Sequence, residues 1–175
     1  MTSANGLMAG KRGLIMGLAN NRSIAWGIAK SLADQGAEIA LTYQGDALKK
    51  RVEPLAAELG GIVVGHCDVS DQSTIDAVFE TLKEKWGKID FLVHAISYSN
   101  KDELTGRYVE TSRDNFLMTM DISVYSFTAV AKAAEPLMRL DADSDLLWRR
   151  KSHAALQCHG RRQGSARGIR ALSRC

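Results

Sequence analysis

A glycine and a serine, separated by five residues, follow the first apolar run of the chain and could together hold an anion. Gly17 comes directly after the apolar residues 14–16, and Ser23 begins a stretch of small and apolar residues at helical spacing. Glycine lets the backbone turn tightly after a strand, and the helix that follows directs N–H groups and the positive end of its dipole over that strand. The pyrophosphate of a dinucleotide suits this position, although the spacing departs from the usual G-x-G-x-x-G fingerprint. A turn with a purely structural role is the alternative.

Polar residues also follow the next apolar runs of the sequence. Gln44 comes after residues 37–43, and Asp68 comes after residues 62–67. Gln44 occupies the place where many nucleotide-binding folds carry an acidic residue for the ribose, and its uncharged amide can bind a ribose without repelling a 2′-phosphate. The backbone and carboxylate of Asp68 could meet an adenine, but Asp68 could equally cap the turn before Ser70. Both interpretations of Asp68 remain open from the pattern.

Four apolar runs alternate with amphipathic stretches, which predicts an α/β fold with a Rossmann-like, doubly wound parallel sheet of about four strands. The strands are expected at about 12–17, 37–43, 62–67 and 89–96, and the helices at about 22–35, 45–59, from Asp71 or Ser73 to Gly87, and 112–137. Right-handed crossovers bring the ends of parallel strands, and the polar residues that follow them, to one edge of the sheet where ligands bind.

Several side chains within these elements are interpreted as packing residues. Ala25 and Gly27 are expected to let the first helix sit close to the sheet, and Trp26 is expected to pack against the sheet. Trp86 is assigned the same packing role on the third helix. His94 lies in the fourth strand and is interpreted as a hydrogen-bonded sheet histidine rather than a catalytic one.

Composition excludes several classes of protein. With 175 residues, of which 45% are hydrophobic and 25% charged, the chain is long enough for one domain with a core. No apolar run reaches the ~18–20 residues of a membrane span, and residues 1–11 contain no apolar segment typical of a secretory signal. Because Cys67, Cys158 and Cys175 have no metal-ligand spacing, we expect free thiols, a cytoplasmic location and no metal site.

The charge pattern of the chain changes at about residue 139. Residues 139–175 contain nine of the 23 Lys and Arg residues, eight of them arginines, but three of the 20 Asp and Glu residues. They contain no Val, Phe or Tyr and show no convincing apolar periodicity. We therefore predict a folded, Rossmann-like domain over residues 1–138 and a poorly ordered, arginine-rich tail over residues 139–175.

Five motifs occur in order in the first part of the chain. They are Gly17-Leu-Ala-Asn-Asn-Arg-Ser-Ile-Ala-Trp-Gly-Ile-Ala29, Leu41-Thr-Tyr-Gln44, His66-Cys-Asp-Val69, Asp90-Phe-Leu-Val-His-Ala-Ile96 and Asp121-Ile-Ser-Val-Tyr-Ser-Phe127. In order and spacing they resemble the motifs of bacterial enoyl-acyl-carrier-protein reductases, a divergent branch of the short-chain dehydrogenase/reductase superfamily. The resemblance extends from about Gly6 to Met138 and implies that residues 1–138 are an NAD-binding, Rossmann-like domain, the N-terminal part of such a reductase.

This resemblance implies NADH-dependent reduction of the trans-2 double bond of an acyl chain on acyl carrier protein, in fatty acid biosynthesis, by an enzyme that forms homotetramers. From composition and spacing we expect no metal and no membrane partner, and nucleic-acid binding is a disfavoured alternative. By position, Gly17, Ser23 and Ile24 would hold the cofactor pyrophosphate, Gln44 the adenosine ribose, Asp68 and Val69 the adenine, Ile96 the nicotinamide side, and Ser99 the acyl substrate. Ser97 stands where relatives often carry glycine, and this small departure does not block the approach of the cofactor.

The resemblance also implies a catalytic pair that this chain does not carry. The family uses a tyrosine hydroxyl to meet the thioester oxygen, where negative charge builds, and a lysine to hold the ribose and the hydroxyl. Both follow the fifth strand in the family. Beyond Met138 this chain has no tyrosine and a single lysine, Lys151, while Tyr98, Tyr108 and Tyr125 belong to other elements. We therefore predict no catalytic residue and no activity for the chain as written.

A shift of the reading frame near codon 139 would account for this loss. Read one base out of frame, GC-rich codons for the family's Thr-Tyr-Tyr-Gly and Tyr-Asn-Val-Met-Gly segments encode residues that match 146–148 and 156–160 here. Codons for Val-Ala-Lys match residues 161–164 in the same way. The hypothesis predicts that the tail is unrelated to the family and that the sheet is truncated after about four strands. The family's fifth strand, substrate-binding helices and tetramer surfaces would then be missing.

Two other functions remain open from the sequence. The chain could be a non-catalytic dinucleotide-binding fragment, which binding of NADH without turnover would support. Alternatively, the basic tail could bind nucleic acid or another anion without specificity, although it contains no interleaved aromatic residues and no recognisable module.

Overall fold

A computed structural model describes residues 6–138 and shows a four-stranded parallel sheet with helices on both faces. The strands are β1 (Arg12–Met16), β2 (Glu38–Tyr43), β3 (Ile62–His66) and β4 (Phe91–His94), in the spatial order β3-β2-β1-β4. The helices are α1 (Ile24–Asp34), α2 (Gly45–Glu58), α3 (Gln72–Trp86), α4 (Arg113–Met120) and α5 (Ser126–Ala134), with a π-helical turn, Asp121–Tyr125, between the last two. Short 3-10 turns lie at Lys101–Glu103, Tyr108–Glu110 and Glu135–Leu137. The predicted α/β class and parallel sheet of about four strands are confirmed.

Alternating side chains of β1 fill the cores on the two faces of the sheet. Leu14 and Met16 pack into an apolar cluster with α3 and α5, whereas Ile15 packs into a second cluster with α1 and α2. All three side chains are fully buried. A parallel strand that helices cover on both faces needs such a continuous apolar run, because successive side chains point to opposite faces. The interior position of β1 therefore places Gly17, which follows it, in the middle of the sheet edge.

The packing of α1 confirms two predicted packing residues and corrects a third. Ala25 and Trp26 are buried in the cluster that α1 shares with the sheet. Gly27 is exposed, and a Cβ atom at this position would meet no atom within 4 Å. The expectation that Gly27 allows the helix to approach the sheet is wrong, because the helical phase turns this position to solvent.

Asp71 defines the start of α3. Its side chain accepts a hydrogen bond from the N–H of Ser73 at 2.9 Å, which decides between the two caps that the sequence allowed. The apolar residues at 3–4 spacing within residues 75–82 are buried. Trp86 ends the helix and packs against the core cluster, as predicted, while the guanidinium of Arg12 lies 5.8 Å from its ring centroid.

The single helix expected over residues 112–137 is interrupted, so that prediction is wrong at its centre. The hydroxyl of Ser112 caps α4 by accepting the N–H of Asn115 at 3.2 Å, but Asp121–Tyr125 is π-helical. A π-helical turn holds an extra residue and leaves ordinary helical periodicity on both sides, so the sequence pattern does not reveal it.

β4 is shorter than the strand predicted over residues 89–96, and the chain returns beside its outer edge. The N–H of Ile89 donates to the carbonyl oxygen of Leu137 at 2.8 Å, and Ile89 pairs with Met138 in a parallel bridge. At Met138, where the described residues end, the chain therefore runs parallel to β4 and lies next to its start. The predictions for the tail, residues 139–175, lie outside the described residues.

None of the helices in the described part of the chain combines the length and hydropathy that a membrane span requires. Residues 6–138 also contain no group of three His, Cys, Asp or Glu side chains placed to ligate a metal ion. The cysteine in this range, Cys67, is a buried free thiol.

Candidate functional site

The turn after β1 lies in direct contact with the residues that follow β4. Gly17 has a φ of +91°, a left-handed conformation that residues with a side chain rarely adopt. A Cβ atom at this position would overlap the carbonyl group of Ala95 and would lie 3.2 Å from the N atom of Ile96. Both the backbone conformation and the close approach therefore require glycine here, as predicted.

The hydroxyl of Ser23 closes the turn between β1 and α1. Ser23 Oγ accepts hydrogen bonds from the N–H groups of Ala19 and Asn20 at 3.1 and 3.0 Å. A hydroxyl has two acceptor sites and one proton, so Ser23 can still donate its proton to an anion. α1 starts at Ile24, whose side chain is 79% exposed. Ile24 could therefore contribute through its N–H, at the positive end of the helix dipole, rather than through its side chain.

Gln44 and Asp68 meet across the ends of β2 and β3. Gln44 Nε2 donates to Asp68 Oδ2 at 3.0 Å, and the N–H of Ser70 donates to Asp68 Oδ1 at 2.9 Å. The bond from Ser70 is the main reason that the pKa of the Asp68 carboxyl lies below its ordinary value. Asp68 is therefore ionised at neutral pH, closes its own turn and orients Gln44. The turn interpretation of Asp68 agrees with this geometry, and the adenine contact stays a prediction.

Thr74 fixes the loop that carries Asp68 and Val69. Its Oγ1 accepts the N–H of Asp68 at 2.9 Å and can donate its own proton to the carbonyl oxygen of the same residue at 2.8 Å. Cys67, the residue before this loop, is buried, and burial raises the pKa of its thiol to about 11. The thiol is therefore neutral at physiological pH and is not activated as a nucleophile. It forms part of the cavity wall.

The π-helical turn is hydrogen-bonded to the loop that follows β4. Ser123 Oγ accepts the N–H of Tyr98 at 3.1 Å and donates to the carbonyl oxygen of Tyr98 at 3.3 Å. The neighbouring residue Ile122 lines the cavity together with Ile96. Such turns recur at functional sites, where the extra residue changes which side chains face the site.

These turns and loops surround a cavity of about 490 Å³ at the carboxyl ends of the strands. The cavity brings together five of the residues predicted to contact a cofactor, namely Gly17, Gln44, Asp68, Val69 and Ile96. The wall also contains residues that the sequence patterns did not predict, including Leu18, Thr42, Leu48, Tyr98 and Ile122. The first two adjoin predicted strand ends, and that adjacency could have identified them. The remaining three required the tertiary structure.

Three predicted site residues do not line the cavity. Ser23 is connected to it through Ala19, a wall residue whose N–H it binds, and Ile24 follows on the same turn. Ser99 Oγ accepts hydrogen bonds from Asn115 Nδ2 at 3.2 Å and from Thr119 Oγ1 at 3.1 Å. Ser99 therefore attaches the loop after β4 to α4, and its contact with an acyl substrate stays a prediction.

His94 is a hydrogen-bonded sheet histidine, as predicted. Its Nε2 lies 2.8 Å from Oγ of Ser126, and its ring meets the ring of Phe127 edge-on, with centroids 5.7 Å apart. Burial lowers the pKa of His94 below its ordinary value, because the charged ring would lose hydration. The neutral imidazole contributes to the packing of α5 on β4.

Stability is expected to decrease as the pH falls through and below about 6.5, in a way that depends on His94. Because its pKa is lower in the folded than in the unfolded chain, its contribution is fully present above the unfolded value of about 6.5 and is lost as the pH falls towards the folded value. Thermal unfolding of His94→Gln, which cannot titrate, should show a smaller decrease in Tm over this range. An equal decrease in both proteins would contradict the assignment.

The cavity wall suits a ligand with phosphate, ribose and flat ring groups. Among the described wall residues Asp68 is the carboxylate, and none is lysine or arginine. A phosphate here would therefore be held by backbone N–H groups and the dipole of α1. The amide of Gln44 can bind hydroxyl groups, and Val69 and Ile96 provide apolar surface for flat rings. These features fit a dinucleotide.

The chain is similar to a family model and to several known proteins that carry the same enzyme description. A family model described as enoyl-(acyl carrier protein) reductase matches residues 17–147. The chain is 75% identical, over 79% of its own length and 51% of the relative's, to enoyl-[acyl-carrier-protein] reductase [NADH] 1 of Rhizobium meliloti (strain 1021). The reductase of Anaplasma phagocytophilum in complex with NAD superposes with a TM-score of 0.74 at 55% identity, over 79% of this chain and 53% of that chain. The Bacillus cereus reductase with NADP+ and indole naphthyridinone gives 0.73 at 44% identity, over 76% and 52%.

The chain spans about half the length of the curated relatives that it matches. The matched half carries the cavity described above, since the family match begins at Gly17 and includes every wall residue. Together with the parallel sheet and the glycine-dependent turn, this similarity shows that the chain belongs to the enoyl-(acyl carrier protein) reductase family.

Proposed function

We propose that this chain binds NADH in the cavity, as the cofactor-binding half of an NADH-dependent enoyl-acyl carrier protein reductase. The observation that carries the proposal is the placement of Gly17, Gln44, Asp68, Val69 and Ile96 around one cavity at the ends of parallel strands. Ligands of open parallel sheets bind at this edge. The names of the relatives specify NADH, and one solved relative contains NAD.

Each candidate residue has a proposed contact with the cofactor. The pyrophosphate is assigned to the turn at Gly17, Ser23 and Ile24, the adenosine ribose to Gln44, the adenine to Asp68 and Val69, the nicotinamide side to Ile96, and the acyl substrate to Ser99. A 2′-phosphate close to Gln44 would also lie close to the ionised carboxylate of Asp68. Because like charges repel, this arrangement favours NADH over NADPH.

The chemistry that the cofactor supplies in this family is a hydride for the β-carbon of an enoyl chain. The described residues would bind and orient the cofactor, and no lysine occurs among those that line the cavity. The sequence beyond Met138 adds no tyrosine and a single lysine, Lys151. We therefore propose that the chain as written binds NADH without catalysing the reduction.

The proposal also includes the substrate and assembly of the complete enzyme and the location of this chain. The substrate of the complete enzyme is an enoyl thioester of acyl carrier protein, and the homotetramer is proposed for that complete enzyme. A cytoplasmic location is supported by the buried free thiol of Cys67, because reducing compartments keep thiols unpaired.

Titration of the chain with NADH, followed by NADH fluorescence, tests the proposal. We expect saturable binding, and no oxidation of NADH after a trans-2-enoyl thioester is added. A full-length family member that reduces the same thioester is the positive control for both measurements. Failure to bind NADH would overturn the proposed function, whereas turnover would overturn the statement that the catalytic pair is missing.

A further inference from the structure

His66, the last residue of β3, joins β3 to the start of α2. Its Nδ1 accepts a hydrogen bond from the N–H of Gly45 at 3.0 Å. Its ring also packs against the ring of Tyr43, with centroids 6.1 Å apart and planes tilted by 48°. His66 is exposed and does not belong to the cavity wall. The side chain therefore connects two turns beside the cavity without touching the cavity.

The position of His66 depends on an irregularity in the sheet. β2 pairs with β3 in parallel, but the register shifts between Leu41 and Thr42, so that one residue of β3 has no partner. Such a bulge bends the strand and redirects the side chains that follow it. As a result His66 lies opposite Tyr43, and its ring reaches Gly45.

Gly45 needs an acceptor outside its own helix. It begins α2 with a φ of +73°, and the first N–H groups of a helix have no partner within the helix. Gln44, at the N-cap position, makes no capping bond with its side chain, because its amide is directed to Asp68. The imidazole of His66 thus supplies the acceptor for the first N–H of α2, while the amide of the preceding residue, Gln44, is directed to Asp68.

We infer that His66 is a positioning residue for the adenosine ribose end of the cavity and acts through Gly45 and Gln44. The inference rests on the proposed function, which assigns the ribose to Gln44. Accepting an N–H at Nδ1 requires the ring to carry its proton on Nε2. Without this bond the turn at Gly45 can move. A ligand that contains the ribose must then order this turn when it binds, and the free energy needed for the ordering weakens the affinity.

Two substitutions test the role of Nδ1 in the full chain. In His66→Asn the amide oxygen can take the place of Nδ1 and accept the same N–H, whereas His66→Leu puts a methyl group there. We expect His66→Leu to raise the Kd for NADH about 3- to 10-fold, the range for one uncharged hydrogen bond, and His66→Asn to stay within about 2-fold. The affinity for ADP-ribose, which contains the adenosine half of NADH, should weaken by the same factor. His66→Ala is a second disrupting variant.

Amide hydrogen exchange at Gly45 gives a readout that does not depend on nucleotide binding. The N–H of Gly45 should exchange faster in His66→Leu and return to its original rate in His66→Asn. The N–H of Asp68, which is bonded to Thr74, is the control and should be unchanged in both variants. Faster exchange at both amides would show general loosening and would contradict a positioning role.

The outcomes separate this inference from the proposed function. If the unaltered chain binds neither NADH nor ADP-ribose, the proposed function fails, and the inference fails with it. If the unaltered chain binds both, the inference alone is overturned when His66→Leu binds them equally well. It is also overturned when His66→Asn is weakened as much as His66→Leu.

Discussion

Gly17→Ala is expected to destabilise the chain by about 3 kcal/mol and to abolish NADH binding. The alanine would have to keep a φ near +91°, a conformation that costs an L-residue roughly 1–2 kcal/mol. Its Cβ would also overlap the carbonyl group of Ala95, a backbone group that cannot move aside as a flexible side chain could. The end of β1 and the residues after β4 would be forced apart, which disrupts the cavity where the pyrophosphate is proposed to bind.

Urea unfolding and NADH titration measure the two parts of this expectation. Gly27→Ala is the matched control, because it makes the same chemical change at an exposed helical position where the new Cβ meets no atom within 4 Å. We expect Gly27→Ala to leave NADH affinity unchanged and to be neutral or stabilising by up to about 1 kcal/mol. Equal stability of Gly17→Ala and the unaltered chain would show that the close approach to Ala95 is not required.

Asp68→Ala is expected to weaken NADH binding about 10-fold or more at pH 7. The carboxylate accepts hydrogen bonds from Gln44 Nε2 and from the N–H of Ser70, and bonds to an ionised group are stronger than bonds between neutral groups. The lowered pKa of Asp68 keeps the carboxylate charged at this pH. Without it Gln44 loses its orientation, and the loop after β3 loses the bond that closes its turn.

Asp71→Ala is the matched control for this substitution. Asp71 lies on the same loop and caps α3 by accepting the N–H of Ser73 at 2.9 Å, but it does not line the cavity. We expect Asp71→Ala to lower stability by about 1 kcal/mol and to leave the Kd for NADH unchanged. Comparison of Tm and Kd for the two variants thus distinguishes loss of a site residue from loss of a helix cap. Equal affinity of both variants for NADH would contradict the role assigned to Asp68.

The order and type of the main elements can be predicted from local sequence patterns. The apolar residues 14–16 predict β1, and the 3–4 spacing after Asp71 predicts α3, because strand alternation, helical spacing and capping act over a few neighbouring residues. Gln44 and Asp68 follow from the same reasoning, since parallel strands bring their carboxyl ends to one edge. The three residues predicted in this way, Gly17, Gln44 and Asp68, line the cavity, as do Val69 and Ile96, which the family resemblance implied.

Other parts of the site depend on contacts between distant segments. Ile122 lines the cavity from the π-helical turn that interrupts the helix expected there, and Tyr98 is held by Ser123, 25 residues further along the chain. Gly27 shows the opposite case, in which a small residue at helical spacing faces solvent. Periodicity within a helix does not show which face another segment covers.

The sequence specifies which residues stand at the ligand-binding edge, and the tertiary structure decides how they are connected. Gln44 and Asp68 form their hydrogen bond across 24 residues, and Gly17 is required because the carbonyl group of Ala95 occupies the space of its Cβ. These partners are set by the register in which β1, β2, β3 and β4 lie side by side. The apolar pattern of a strand restricts its register, but the pairing itself involves two strands and forms only in the assembled sheet.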